Sequence, residues 1–265
     1  MTWNINSVRL RAPLLGQIIA HLKPDVVCLQ ETKTPDEHFP RDILEKLGFP
    51  YISFVGMKGY NGVAILSKFP LENPRIVTRC GRDDCRHIAA QVMNHDGGRL
   101  LDLHNLYIPA GGYEPDPVKN EKFKHKLDFV DELTEWFPQH HANDEPMIVV
   151  GDLNIAPREN DVWSHKKMIK VVSHTPVEVE KFTEFYKSMN WVDAVRHFVP
   201  DEEKLFTWWS YRAKDWEAAD KGRRLDHIWV TEPLKNHLIG QKVLKAARGW
   251  ERPSDHAPVI IDLDL

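Results

Sequence analysis

The stretch Met147-Ile148-Val149-Val150-Gly151-Asp152-Leu153-Asn154 decides how this chain is read. Its first four residues are apolar without a break, too short a run for a helix and rich in β-branched side chains. They read as a strand buried on both faces. Polar residues follow at once. If the backbone stays extended, Asp152 and Asn154 point the same way while Leu153 turns into the core. Gly151 reads as a place where a bulky anion could approach the backbone. A buried strand ending in a carboxylate and an amide is how α/β proteins build sites at strand ends.

The flanking sequence repeats the theme. Val26–Leu29 is a second continuous apolar run, and Gly62–Leu66, Ile88–Val92, Leu100–Ile108, Leu225–Val230 and Val259–Leu263 read as further strands. Helical periodicity runs over Arg9–Leu22, over Lys119–Phe137 and over Glu178–Met189. No repeat, low-complexity segment or Gly/Ser linker interrupts them. The fold class is α/β, one domain spanning residues 1–265, with many strands and few helices. That balance favours packed sheets covered by helices.

Composition narrows the classes. With 42% apolar and 28% charged residues, disorder, collagen and coiled coil are excluded. No apolar run approaches the roughly 18 residues of a membrane span. Met1-Thr2-Trp3-Asn4 carries no secretory signal, and the three cysteines, Cys28, Cys80 and Cys85, are an odd number. Both point to free thiols in a reducing, cytoplasmic setting. Net charge is −4, which alone speaks against nucleic acid, but its distribution is uneven. Residues 204–252 hold eleven Lys/Arg against six acids, so this stretch carries +5 and the rest −9.

The polar residues at strand ends carry the chemistry. Asn4 and Asn6 alternate with Trp3 and Ile5, so they share a face. Gln30-Glu31 ends Val26–Leu29, Tyr107 lies near the end of its strand, Asp226 opens Ile228–Val230, and Ser254-Asp255-His256 precedes the last strand. Any one of these is an ordinary turn former. Together they form a set of oxygen ligands with no cysteine, which selects Mg²⁺ with Mn²⁺ as a substitute. A carboxylate that activates water and an Asp–His pair complete a centre for metal-assisted hydrolysis of a phosphate ester. Asp255 and His256 are adjacent, so both reach one site only if Ser254–Ala257 bends, as Pro253 and Pro258 allow.

Six segments in this order carry a resemblance: Trp3-Asn4-Ile5-Asn6, Leu29-Gln30-Glu31-Thr32-Lys33, Asn105-Leu106-Tyr107-Ile108-Pro109, Gly151-Asp152-Leu153-Asn154, Arg224-Leu225-Asp226 and Ser254-Asp255-His256-Ala257-Pro258. The chain resembles the exonuclease III family of abasic-site endonucleases, within the endonuclease/exonuclease/phosphatase superfamily. The resemblance implies a four-layer sandwich, two mixed β-sheets packed face to face with helices on the outer faces. It implies a monomer acting on duplex DNA with Mg²⁺, cutting 5′ to abasic sites and clearing 3′ ends. By position, it makes Glu31 the principal metal ligand, with Asn4, Asp152, Asn154, Asp255 and His256 in or beside the metal site. Asp152 activates or positions the attacking water, Asn154 bonds phosphoryl oxygens, and Tyr107 contributes its phenol. Asp226 orients His256, which contacts the scissile phosphate. Trp208, Trp209 and Leu225 resemble an apolar pocket for an extrahelical sugar, and Asn6 and Arg86 join the substrate contacts.

Departures are visible. Asn6 stands where some relatives have Asp, and Ala110 and Arg223 replace larger or apolar residues near the substrate. Two other readings remain: a phosphoesterase for an inositol phosphate, lipid head group or RNA, and a DNA-binding module without activity.

Overall fold

The computed structural model describes residues 1–265. Fourteen strands follow in chain order: β1 (Thr2–Asn4), β2 (Val26–Gln30), β3 (Tyr51–Val55), β4 (Val63–Ser67), β5 (Leu71–Ile76), β6 (His87–Met93), β7 (Arg99–Tyr107), β8 (Met147–Asp152), β9 (Val192–Asp193), β10 (Trp208–Trp209), β11 (Gly222–Arg223), β12 (Asp226–Val230), β13 (Leu238–Val243) and β14 (Val259–Leu263). The main helices are α1 (Val8–Leu22), α2 (Arg41–Lys46), α3 (Glu121–His140), the one-turn α4 (His165–Met168) and α5 (Pro176–Ser188). Six strands form one sheet in the order β13-β14-β1-β2-β4-β3 and six form another, β5-β6-β7-β8-β12-β9, while β10 and β11 pair separately. The pairs β1/β2 and β7/β8 are parallel and their other neighbours antiparallel, so both large sheets are mixed.

Strand alternation produces the layers. Cys28, Val63 and Ile65 face Ile88, Leu103, Ile148 and Ile228 in the core between the sheets. Their neighbours Val27, Leu29, Ala64 and Leu66 face outward onto Leu14, Leu15 and Ile18 of α1 and Leu44 of α2. On the other side, Leu106, Val149 and Trp229 meet Phe129 and Phe137 of α3 and Phe182 and Phe185 of α5. Each sheet is therefore apolar on both faces, which is why Val26–Leu29 and Met147–Val150 read as unbroken apolar runs. The result is the expected four layers: helices, sheet, sheet, helices.

The boundaries differ slightly from the periodicity. α5 begins at Pro176 because Thr175 and Glu178 form a reciprocal cap: Glu178 N donates to Thr175 Oγ1 at 3.4 Å, and Thr175 N to Glu178 Oε2 at 3.1 Å. α3 begins after Asn120, whose side chain accepts from the Lys122 amide, and runs through Pro138 to His140. No helix is long and apolar enough to cross a membrane.

Gly151 has a different role from the expected one. Its φ is +145°, and a Cβ there would fall 1.9 Å from the Leu106 carbonyl oxygen of β7. The space is taken by the neighbouring strand, so it does not serve an anion. The glycine lets β7 and β8 approach where β8 delivers Asp152.

Three buried histidines make folding pH-dependent. Burial holds His87 and His104 well below their usual pKa, with Arg79 adding to the effect at His87 and His87 at His104, and burial takes His227 to about 3. Below pH ~6.5 the unfolded chain binds protons that these folded histidines refuse, so stability rises with pH there and falls on acidification. Asp152, raised to about 7, opposes this with one proton over the same range. The histidines outnumber Asp152, so the balance is a loss of stability on acidification below pH ~6.5. Denaturant midpoints should drop between pH 6.5 and 5; a midpoint flat over that range would contradict the neutral histidines.

Candidate active site

The site forms where β1, β2, β7, β8 and β12 present one set of ends. Beneath it, Gln30 Nε2 of one sheet donates to Asn105 Oδ1 of the other at 2.7 Å, and Asn105 Nδ2 donates to the Leu29 and Ala64 carbonyls. These buried bonds fix the register of the two sheets under the candidate site.

Asn4 is the hub. Its Nδ2 donates to Glu31 Oε1 at 2.9 Å and to Asp152 Oδ2 at 2.8 Å. Glu31 leaves β2 in the left-handed region, φ 53°, unusual for a residue with a Cβ. The turn holds because Ser7 N donates to the Glu31 carbonyl, and the amides of Thr32 and Lys33 bond the Gly62 and Asn61 carbonyls. Tyr107 donates its hydroxyl to Glu31 Oε1 at 2.8 Å, and Lys33 Nζ lies 2.6 Å from Glu31 Oε2. Burial alone would raise Glu31, but Lys33 and Asn4 hold it below the usual carboxylate range. Burial, with the Glu31 and Asp152 charges, pushes the Tyr107 phenol well up, so it remains a donor.

A second arm meets the first at Asp152. His256 Nδ1 lies 2.8 Å from Asp226 Oδ2, and its Nε2 lies 3.7 Å from Asp152 Oδ2. Thr207 Oγ1 donates to Asp226 Oδ2 at 2.6 Å and accepts from the Leu225 and Asp226 amides. Burial opposes charge on His256, but the Asp226 and Asp152 carboxylates outweigh it and push the imidazole up to about 10. Burial pushes Asp152 up to about 7, with His256 pulling the other way and Asp226 and Glu31 adding.

The remaining residues fall beside this core. Asn6 is not on a continuing strand: β1 ends at Asn4, Asn6 has φ 50°, and its amide bonds Asn4 Oδ1. Its side chain still faces the site, accepting from Lys33 Nζ at 2.6 Å and donating to Asp255 Oδ1 at 3.3 Å. Asn154 is also not extended, with φ 54°. Its amide bonds Asp152 Oδ1 and its Nδ2 the Ile108 carbonyl, while Leu153 is buried as expected. The bend at Asp255 turns that carboxylate toward Trp208 Nε1, 2.9 Å away, and His256 toward Asp226. Arg86 stacks on the Tyr107 ring at 4.6 Å and pairs with Asp84.

Trp208 and Trp209 do not form one wall. As neighbours on β10 they face opposite ways, and Trp209 packs with Phe206 and Ala257 in a small core, its Nε1 bonded to Asp220. Leu225 is buried and its backbone ties the Leu153 amide. Sequence reasoning assigned no role to Lys33, Thr207 or Ser254, whose Oγ donates to the Asn4 carbonyl at 2.7 Å. Lys33 and Ser254 lay inside quoted motifs; nothing local marks Thr207.

The donor set fits a hard divalent cation. Glu31, Asp152, Asp226 and Asp255 are four carboxylates, and only Lys33 and His256 are bonded to them as cations. Asp226 Oδ1 is buried with no partner, and Asp152 is raised by burial and by its acidic neighbours. A divalent charge beside Glu31 would relieve Asp152.

A second cluster, Asp102, His104 and His141, does not offer a comparable site. Arg79 has only N–H groups, so His87 Nδ1, 2.9 Å away, accepts from it. His87 Nε2 then donates to His104 Nδ1 at 2.9 Å. A neutral His104 thus turns an N–H toward Asp102, 3.7 Å away, and has no lone pair there for a metal. The cysteines are free, and burial pushes Cys28 up to about 12. An apolar cavity of about 370 Å³, lined by Met1, Leu101, Ile148 and Leu263 among others, opens at the far ends of the strands, away from this chemistry.

Residues 1–256 match the model described as Endonuclease/Exonuclease/phosphatase family. The chain belongs to this family. It is 32% identical to Exodeoxyribonuclease III of Haemophilus influenzae, over 98% of this chain and 97% of that protein. It is 29% identical to an exodeoxyribonuclease of Bacillus subtilis, over 100% and 99%. A solved AP endonuclease from Archaeoglobus fulgidus superposes with TM-score 0.91 at 29% identity, covering 100% of this chain and 98% of the other. The 3′-5′ exonuclease NExo from Neisseria meningitidis gives 0.88 at 30%, covering 100% and 98%. A Neisseria NExo variant described as a 3′ phosphatase, bound to a product DNA hairpin, gives the same values. Of the residues that converge, Asn4, Glu31, Tyr107, Asp152, Asp226, Asp255 and His256 lie in the six motifs, and Thr207 and Trp208 do not.

Proposed function

We propose that this protein is a Mg²⁺-dependent DNA-repair nuclease of the exodeoxyribonuclease III type. It acts as a cytoplasmic monomer with one catalytic domain over residues 1–265, hydrolysing phosphodiesters 5′ to abasic sites and at 3′ ends of duplex DNA. The observation that carries this reading is the convergence at Asp152: Asn4 from β1 links it to Glu31, and His256 from the C-terminal bend stands over it. The basic stretch supports DNA as substrate. Arg212, Lys214 and Lys221 surround a hollow of about 420 Å³ with Trp209 and Trp216, on the loop that follows Trp208.

In this reading Glu31, with Asn4 and Asp255 beside it, would hold a divalent ion, which would supply positive charge at the phosphoryl oxygens. Asp152 accepts the proton of the attacking water as its oxygen bonds to phosphorus. His256, fixed by Asp226 and charged, directs its Nε2–H at a phosphoryl oxygen and acts as a donor rather than a metal ligand. Asn154 and the Tyr107 hydroxyl add neutral donors. The P–O3′ bond breaks, and solvent protonates the leaving oxygen.

A gel assay tests the function. Duplex DNA with one abasic site, and duplexes with 3′ ends, should be cut in Mg²⁺ and left intact in EDTA. Binding without cutting under any divalent metal would refute the reading. So would phosphate release from inositol phosphates with DNA untouched.

A further inference from the structure

Arg223 is a half-buried cation without an acid. Its neighbour Arg224 is matched by Asp193 at 2.6 Å and Asp161 at 3.8 Å, and Arg196 by Asp161 at 2.6 Å. The Arg223 guanidinium has no such partner. Nη1 donates to the Val172 carbonyl at 3.1 Å and to Ser173 Oγ at 3.0 Å, and no acceptor in the chain takes Nε or Nη2. Glu178, the acid whose charge it feels, is committed to Lys126 at 2.5 Å and to the Ser173 and Thr175 amides. Nε and Nη2 keep contact with solvent, so a ligand that carries negative charge can reach this edge of the guanidinium.

Its position says which ligand. Arg223 pairs with Trp208 across β10 and β11, and its Cζ lies 5.0 Å from the centre of the Trp208 indole. The same indole bonds Asp255 through Nε1, and the Arg223 carbonyl accepts from the amide of Thr207, which holds Asp226. The guanidinium thus covers one face of Trp208, the indole whose other contact is the Asp255 carboxylate at the site. Cutting 5′ to an abasic site and removing a 3′-phosphate break the same P–O3′ bond. They differ in what hangs on the far side of phosphorus. At an abasic site it is an oxygen esterified to a sugar. In a terminal phosphate it is a free oxygen carrying an extra negative charge.

Resting on the nuclease reading above, we propose that Arg223, stacked on Trp208 beside Ser173, is a specificity-determining residue that takes the free oxygen of a 3′-terminal phosphate monoester. It favours removal of 3′-phosphates and narrows the room for an internal abasic sugar. The chemistry balances as hydrolysis: water forms a bond to phosphorus, P–O3′ breaks, and the products are a 3′-hydroxyl and inorganic phosphate.

The test measures kcat/KM in Mg²⁺ for the full chain on two duplexes, one nicked with a 3′-phosphate and one with an internal tetrahydrofuran abasic analogue. Arg223→Leu should lower 3′-phosphate release by about 10–100-fold, the range of a hydrogen bond to a charged group. It should leave incision at the analogue unchanged or raised. Arg223→Lys should fall between, keeping the charge without the planar fork. Because both substrates are read on one protein, a folding defect lowers both and leaves the ratio alone. A ratio within about twofold of wild type in both variants would overturn the proposal while the nuclease reading stands. Wild-type protein that cuts neither duplex would overturn both.

Discussion

Asp152→Asn should give a folded, DNA-binding protein whose turnover is about 10²–10⁴-fold lower, the usual contribution of a positioned general base. The amide has the shape of the carboxylate but cannot take a proton from water. Both carboxylate oxygens accept in the native site, from Asn4 Nδ2 at 2.8 Å and from the Asn154 amide at 3.1 Å. An asparagine can satisfy only one of these donors with its oxygen, so one contact is lost. The substitution also removes a buried carboxyl that its surroundings push up to about 7. These two effects on stability oppose each other. Rapid-quench turnover beside anisotropy binding separates the roles: kcat should collapse while affinity stays within a few-fold. Turnover at the wild-type rate would remove Asp152 from the chemistry.

Gly151→Ala should act on the fold one residue earlier. The added Cβ would meet the Leu106 carbonyl oxygen at 1.9 Å, its carbon at 2.8 Å and the Leu106 nitrogen at 3.0 Å. All three are backbone atoms of β7, so no side chain can swing away. A φ of +145° adds strain of about 1–3 kcal/mol for any residue with a Cβ. Relief requires parting two parallel strands whose pairing runs from Asp102↔Met147 to Tyr107↔Asp152. We expect a loss of at least about 3 kcal/mol, which in a chain of this size lowers Tm by about 6–12 °C. Activity should fall with it, because Tyr107 and Asp152 stand opposite each other at the end of that ladder. An alanine variant with wild-type Tm would show that the strands have slack there.

What the sequence revealed follows from which interactions are local. The central strands were legible because burial on both faces leaves unbroken apolar runs at β2 and β8. Edge strands were not. β5 has mostly exposed or half-exposed residues and contains Pro74, and β13 is polar at Gln241 and Lys242, so neither shows a clean period. The candidate site residues were legible as types at strand ends, but their orientation was not. Extension put Asn4 with Asn6, and Asp152 with Asn154. The backbone instead turns left-handed at Asn6, Glu31 and Asn154. Those turns depend on long-range bonds, such as Ser7 N to the Glu31 carbonyl and Lys126 Nζ to the Asn154 carbonyl at 2.7 Å. The expected bend at Ser254–Ala257 was legible because two prolines flank it. The tryptophan pair misled, since on a strand adjacent residues part company. Trp208 stays at the site and Trp209 joins a core.

The proposed function requires that residues from β1 to the C-terminal bend meet around a divalent ion. Crystals of the full chain soaked in Mn²⁺ test it directly through the anomalous signal. A single peak should lie among Glu31, Asn4 and Asp255, with Lys33 Nζ displaced from its place 2.6 Å from Glu31 Oε2. A map with no peak near Glu31, or with Mn²⁺ found only at Asp102, His104 and His141, would contradict it.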